Sequence, residues 1–235
     1  MAILFNFNIR FNHKRERKCD CMATAIIFGP PGSGKTVNST LIPGKTLLLS
    51  SDNSAVVLNN FKRENLTIKP IPTFKDFLEE FEKATTSKQY DTIITDCLSD
   101  LIDGYIVECR ESKAFNDIRQ AYMLAYTKVK ALARKAAHCG TDCIFNCWED
   151  VEEITTPSGE IKNRLSPMLP AKIKQQVCGL CNVIARVSTA NDKDGNKRWY
   201  YVLEPSETLM IKDQLHCRKT CMPEDIFSGG GKANG

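Results

Sequence analysis

The chain has 235 residues, 42% hydrophobic and 26% charged, which suits one globular domain with appendages. No run approaches the roughly 18 uninterrupted apolar residues of a membrane helix, and the opening MAILFNFNIRFNHKRERK puts its apolar run before its basic cluster, the reverse of a secretory signal. These features argue against a secreted or membrane protein. Eleven cysteines, an odd number in a long chain without an export signal, read as reduced thiols of a cytoplasmic protein. Of the net charge of +4, residues 1–21 carry +3, so any nucleic-acid contact must come from local patches rather than bulk charge.

Met22 opens MATAIIFGPPGSGKT as though a folded domain began there. The expected layout is a tail over 1–21, disordered or an upstream extension of the reading frame, a domain over 22–227, and a disordered Gly-rich end over 228–235. Within the domain, 24–28 reads as a strand, followed by a Gly-rich turn and a helix to about residue 41. Residues 46–50 (TLLLS) and 66–69 read as further strands. Thr73 can cap a helix whose Phe74, Phe77, Leu78 and Phe81 share one face. Strand 92–95 (TIIT) precedes a helix bearing Asp100 and Asp103. A long alanine-rich helix covers 117–138 and stops at Gly140. Strand 143–148 leads into a hairpin or mobile loop over 151–165, then a short helix over 170–177. Strands 183–187 and 199–203 flank the turn NDKDGN at 191–196. Strand–helix alternation with short apolar strands implies an α/β fold: a mostly parallel sheet flanked by helices, closed by a C-terminal antiparallel hairpin.

Residues 29–36 read GPPGSGKT, the phosphate-binding pattern G-x-x-x-x-G-K-[ST], between a strand and a helix as its chemistry requires. Gly29, Pro30, Pro31, Gly32, Ser33 and Gly34 form a loop whose backbone N–H groups can turn inward around phosphate oxygens. Lys35 would reach the β- and γ-phosphates of ATP, and the Thr36 hydroxyl would ligate Mg²⁺. A second GKT at 44–46 has Ser39 where the pattern needs its first glycine, and reads as a decoy. Asp96, ending the apolar strand DTIITD, would hold Mg²⁺ through water. Cys97 follows it where many P-loop ATPases carry a glutamate, so the carboxylate that activates water is sought elsewhere. Asp52 after TLLLS and Glu149 after CIFNCW both lie at C-terminal strand ends, the edge where a parallel sheet binds its nucleotide. Either can serve.

In this order GPPGSGKT, TLLLSSD, DTIITD and CIFNCWED resemble the RecA-like P-loop ATPase core. More narrowly, the chain is similar to compact phage ATP-binding proteins of single-strand annealing and recombination. The resemblance implies Mg²⁺-dependent ATP hydrolysis, assembly as a ring or filament of identical subunits, and action on single-stranded DNA in the cytoplasm of a bacterial host. It implies that Asp52 polarises the attacking water and that Asn146 to Trp148 form the strand end that senses the γ-phosphate, although Cys147 and Trp148 stand where Gln or His is commoner. It also implies that Lys212, in IKDQL, reaches a neighbouring subunit's phosphates, although Gln214 replaces a second basic residue; Arg218 and Lys219 are further candidates to supply that charge.

For DNA, the loop after CIFNCW is the segment that the resemblance points to, and it carries Lys162 and Arg164. A second cluster, Lys193, Lys197, Arg198, Trp199, Tyr200 and Tyr201, mixes charge with rings, the combination that holds single strands. Cross-strand packing is the competing explanation for those rings. Cys178 and Cys181, with His216, Cys217 and Cys221, could form a zinc site, against the alternative of buried free thiols. Two other functions fit the motifs. One is a nucleotide or small-molecule kinase, although no Arg-rich lid segment is present. The other is a non-catalytic nucleotide-binding module of a larger assembly.

Overall fold

Apolar runs of five or six residues, too short for helices and flanked by turn formers, become buried strands whose side chains alternate between two faces. The computed structural model describes residues 22–61, 63–112 and 117–229. The expectations for 1–21 and for most of 228–235 lie outside the described residues.

Strands β1 (Thr24–Gly29), β2 (Thr46–Ser50), β3 (Leu66–Pro70), β4 (Thr92–Asp96), β5 (Asp142–Thr155) and β7 (Val183–Asn191) form the parallel part of the sheet, in the order β3-β2-β4-β5-β1-β7. The expected antiparallel closure follows. Strand β8 (Lys197–Val202) pairs with the outer half of β7, and β9 (Lys212–Asp213) pairs with its inner half. β10 (Thr220–Cys221) lies on the far edge of β8. The turn between β7 and β8 is held by Asp192, whose carboxylate accepts from the N–H groups of Asp194 and Asn196.

The two faces of the sheet are covered unequally. Ile26, Phe28, Leu47, Leu49, Ile93 and Phe145 point to one face, packed against α2 (Phe74–Ser87), α3 (Leu98–Glu111), α4 (Ile118–His138) and α5 (Ala171–Leu180). Ala25, Ile27, Leu48, Ile94, Ile144 and Val187 point to the other. That face is closed by thinner material: α1 (Lys35–Ser39), a 3-10 helix at Asn53–Asn60, and a C-terminal turn that inserts Ile226 and Phe227. The cap expected at Thr73 is present, and α4 gains one at Asp117 beyond those expected from sequence. Thr73 accepts from the Asp76 N–H at the start of α2, and Asp117 from the Arg119 N–H at the start of α4. Among the described residues no helix is long and apolar enough to cross a membrane.

Two expectations need correction, the lengths of α1 and β5. The helix after the Gly-rich turn is only Lys35–Ser39, because Thr40 and Leu41 bond in tight turns before Pro43 and Gly44 break the chain. β5 does not stop at residue 148 but runs to Thr155, since β6 (Ile161–Pro167) pairs with its outer half as an antiparallel arm. The 3-10 helix and the two-residue strands β9 and β10 carry too little periodicity to be read from sequence. The zinc reading has no cluster behind it: Cys178 and Cys181 are buried, Cys217 is exposed, and the described residues hold no group of three or more His, Cys, Asp or Glu placed for a metal.

Phe77 is 1% exposed and touches Phe74 and Phe81 within the thick-side core. Phe77→Ala should cost about 3–5 kcal/mol of stability in urea unfolding, as expected for deleting a buried ring.

Candidate active site

The carboxyl ends of β1, β4 and β5 converge on one edge, and the loop 29–36 leaves β1 at that edge. The GKT at 44–46 enters β2 at the opposite, amino-terminal edge, where the Lys45 N–H donates to Asp91, so the decoy is remote from the site. In the loop, the Ser33 N–H donates to the Pro30 carbonyl, and Gly34 takes φ +89° before α1 begins. A Cβ on Gly34 would fall 2.9 Å from Asn38 Nδ2 and 3.0 Å from Trp199 Nε1. Backbone sign and space both demand glycine there. The Lys35 ammonium folds over the loop and donates to the carbonyls of Gly29 (2.8 Å) and Pro30 (3.1 Å). Burial lowers its pKa below the usual lysine value, while nearby acidic groups, Asp96 and Glu149 among them, pull it back up.

Asp96 ends β4 and is 2% exposed. One carboxylate oxygen accepts from Ser54 Oγ (2.9 Å) and the other from Asn146 Nδ2 (3.0 Å), and the Thr36 hydroxyl lies beside the group. Burial raises the Asp96 pKa, and these three polar neighbours oppose the rise. Asn146 lies on β5, between the loop strand β1 and the Asp96 strand β4. Its amide also donates to Ser39 Oγ of α1 at 3.0 Å. The strand-end position expected for Asn146 is therefore filled by a side chain that ties Asp96 to the helix after the loop.

The two candidate bases differ in their surroundings. Asp52 caps the 3-10 helix through the Ser54 N–H at 3.1 Å and lies close enough to Asp96 to add to its raised pKa. Glu149 accepts from Arg186 Nε at 2.6 Å and from Nη2 at 3.3 Å, so both of its oxygens are engaged. Arg186 lies on β7 opposite Phe28, and Trp148 opposite Gly29, so the ion pair closes over the end of β1. Sequence reading passed over Arg186, which sits in a strand with no motif around it.

The remaining candidates lie away from this edge. Lys212 on β9 stands opposite Ile184, level with the middle of β1, and its ammonium is 3.4 Å from the Gly179 carbonyl and from Gln214. It does not meet the loop of its own chain. Arg218 is a clamp: it pairs with Asp213 at 2.7 Å and donates to the carbonyls of Asp225, Ile226 and Ser228, which uses up its guanidinium. Lys219 pairs with Glu204 at the surface. Both DNA candidates on β6 are ion-paired, Lys162 with Glu160 and Glu207, and Arg164 with Glu152. At the base of the arm, buried Lys174 from α5 bonds Asp150, Glu152 and Ser166. In the second cluster, Tyr201 is buried in the core and Trp199 lies against Gly34, whereas Lys193, Lys197 and Arg198 are exposed.

A loop of this geometry, with a lysine, a hydroxyl and a buried aspartate at one sheet edge, is the phosphate site of a P-loop ATPase. The family model described as AAA domain matches residues 22–214. The chain belongs to the AAA domain family. Its members are nucleotide-binding P-loop ATPases, a broader class than the phage RecA-like group suggested by motif order. No curated protein matches the chain.

Gly34→Ala should lose about 1–2 kcal/mol of folding stability, the cost of a left-handed conformation for a residue with a Cβ. The crowding at Asn38 and Trp199 adds to that, and nucleotide affinity measured by calorimetry should fall with it.

Proposed function

We propose that this AAA domain is a Mg²⁺-dependent ATPase that works as a homo-oligomer on single-stranded DNA, in phage recombination or replication within the host cytoplasm. The observation that carries the hydrolytic reading is the convergence of Thr36, Asp96 and Asn146 beside Lys35. A hydroxyl and a carboxylate are hard oxygen donors, which suits Mg²⁺, an ion that takes few protein ligands and keeps waters and phosphate oxygens for the rest. Thr36 would hold it directly and Asp96 through water. When bound, Mg²⁺ neutralises charge on the β- and γ-phosphates.

The chain's own residues do the remaining work. Backbone N–H groups between Gly32 and Thr36 bind phosphate oxygens, and Lys35 exchanges the Gly29 and Pro30 carbonyls for the β- and γ-phosphates. Asp52 orients the attacking water, because both oxygens of Glu149 are taken by Arg186. Glu149 with Arg186 then positions the end of β1. Lys212 is remote from its own loop, which supports its use across a subunit contact. Charge supplied in this way at the transition state is worth about 10³–10⁵ in rate.

DNA dependence rests on the resemblance to single-strand recombination ATPases and on the exposed Lys193 and Lys197 of the β7–β8 hairpin, beside Arg198, which pairs with Asp192. Lys162 and Arg164 can contribute only by exchanging their carboxylate partners for phosphates. Phosphate release with and without single-stranded DNA tests the whole reading. Lys35→Ala should abolish turnover with the fold intact, and wild-type turnover in that variant would remove the P-loop assignment. Lys212→Ala should keep ATP binding and lose the stimulation by DNA. DNA affinity should fall steeply with added salt, because phosphate contacts release counterions. Full-rate hydrolysis by an isolated monomer without DNA would refute the assembly and DNA parts.

A further inference from the structure

The β7–β8 hairpin has a second consequence at the phosphate loop. Thr36 and Asp96 meet on the β5–β4 side of β1, so the β- and γ-phosphates of a nucleotide lie there and the nucleoside end leads to the opposite side. On that side β1 is followed by β7 and then β8, and β8 presents Trp199. The indole edge touches the loop: its Nε1 and Cδ1 are 3.0 and 3.4 Å from the point where a Cβ on Gly34 would stand. The Lys197 ammonium lies over the ring, 5.6 Å from its centroid. Beside them Asn38 is 2% exposed, and its Nδ2 has no hydrogen-bond partner among the described residues, a buried donor that an acceptor on a ligand would satisfy.

We infer that Trp199, flanked by Lys197 and Asn38, forms the nucleobase subsite of this ATPase, with the indole as a stacking platform for the base. The inference rests on the P-loop reading above and adds the residue that holds the other end of the same ligand. Stacking on a ring is tolerant of base identity, since every base has a π-face, so ATP and GTP bind through the same contact. The lysine adds positive charge on the outer side of the loop, where the α-phosphate would pass.

The test compares ATP with inorganic tripolyphosphate, which has the phosphates but no base. Trp199→Leu keeps an apolar group at the rim of the core and removes the stacking surface. It should raise the Kd for ATP about tenfold or more and leave that for tripolyphosphate within about twofold. Trp199→Phe should recover most of the ATP affinity. Unchanged ATP affinity in Trp199→Leu overturns the subsite. An equal loss for both ligands also overturns it, because the indole would then only prop the loop. Lys35→Ala separates the two readings: it should weaken both ligands, and if it weakens neither, the P-loop assignment fails first. A second measurement leaves Trp199 in place. The chain has two tryptophans, so Trp148→Phe leaves Trp199 as the one emitter. ATP should then shift its fluorescence and tripolyphosphate should not, and an equal response to both overturns the proposal.

Discussion

One buried amide joins the parts of this site. Asn146 stands on β5, the strand that separates the loop strand from the aspartate strand, and its Nδ2 reaches Asp96 on one side and Ser39 on the other. All three side chains are buried, so each bond is made where water cannot replace it. The cost of desolvating Asp96 is offset by that amide together with the hydroxyls of Ser54 and Thr36. The bridge thus spans from the helix after the loop to the aspartate, although their strands β1 and β4 are not neighbours.

The unequal covering of the sheet explains why the site is built from short elements. The thick side packs four helices on one face and contributes most of the large apolar side chains. The loop, α1 and the 3-10 helix lie on the thinner side, with the C-terminal turn closing the core behind them. Arg218 holds that turn by donating to three carbonyls and one carboxylate, so its charge serves the fold. A guanidinium so fully engaged has nothing left to offer a neighbouring subunit.

Ion pairing also decides which charges are available. The β5–β6 arm carries basic residues, but Glu152, Glu160 and Glu207 neutralise them, and Lys174 binds two further carboxylate oxygens at its base. Exposed pairs of this kind contribute little stability and can exchange partners, whereas Lys174 is buried and structural. Among the described residues, the positive charge on this side without a carboxylate partner therefore sits on Lys193 and Lys197 of the β7–β8 hairpin, next to the phosphate loop, since Arg198 there pairs with Asp192.

Much of the fold was legible in the sequence because its signals are local. Strand β2 lies at the residues read for it, Thr73 caps α2, and the turn at 191–196 joins two antiparallel strands. The phosphate loop was legible for the same reason: glycines, a lysine and a hydroxyl at fixed spacing describe one continuous piece of backbone. What the sequence could not determine is contact between distant segments. The pairing of Glu149 with Arg186, the bridge from Asn146, the engagement of Lys162 and Arg164, and the approach of Trp199 to Gly34 all join residues brought together by strand order. By itself the sequence determined the strand, the phosphate-loop pattern and the residues within it, one continuous stretch of chain. Only the tertiary structure decided which charges are already spent and which aromatic ring stands beside the loop, because strand order and register are set by packing of the whole sheet rather than by any local pattern.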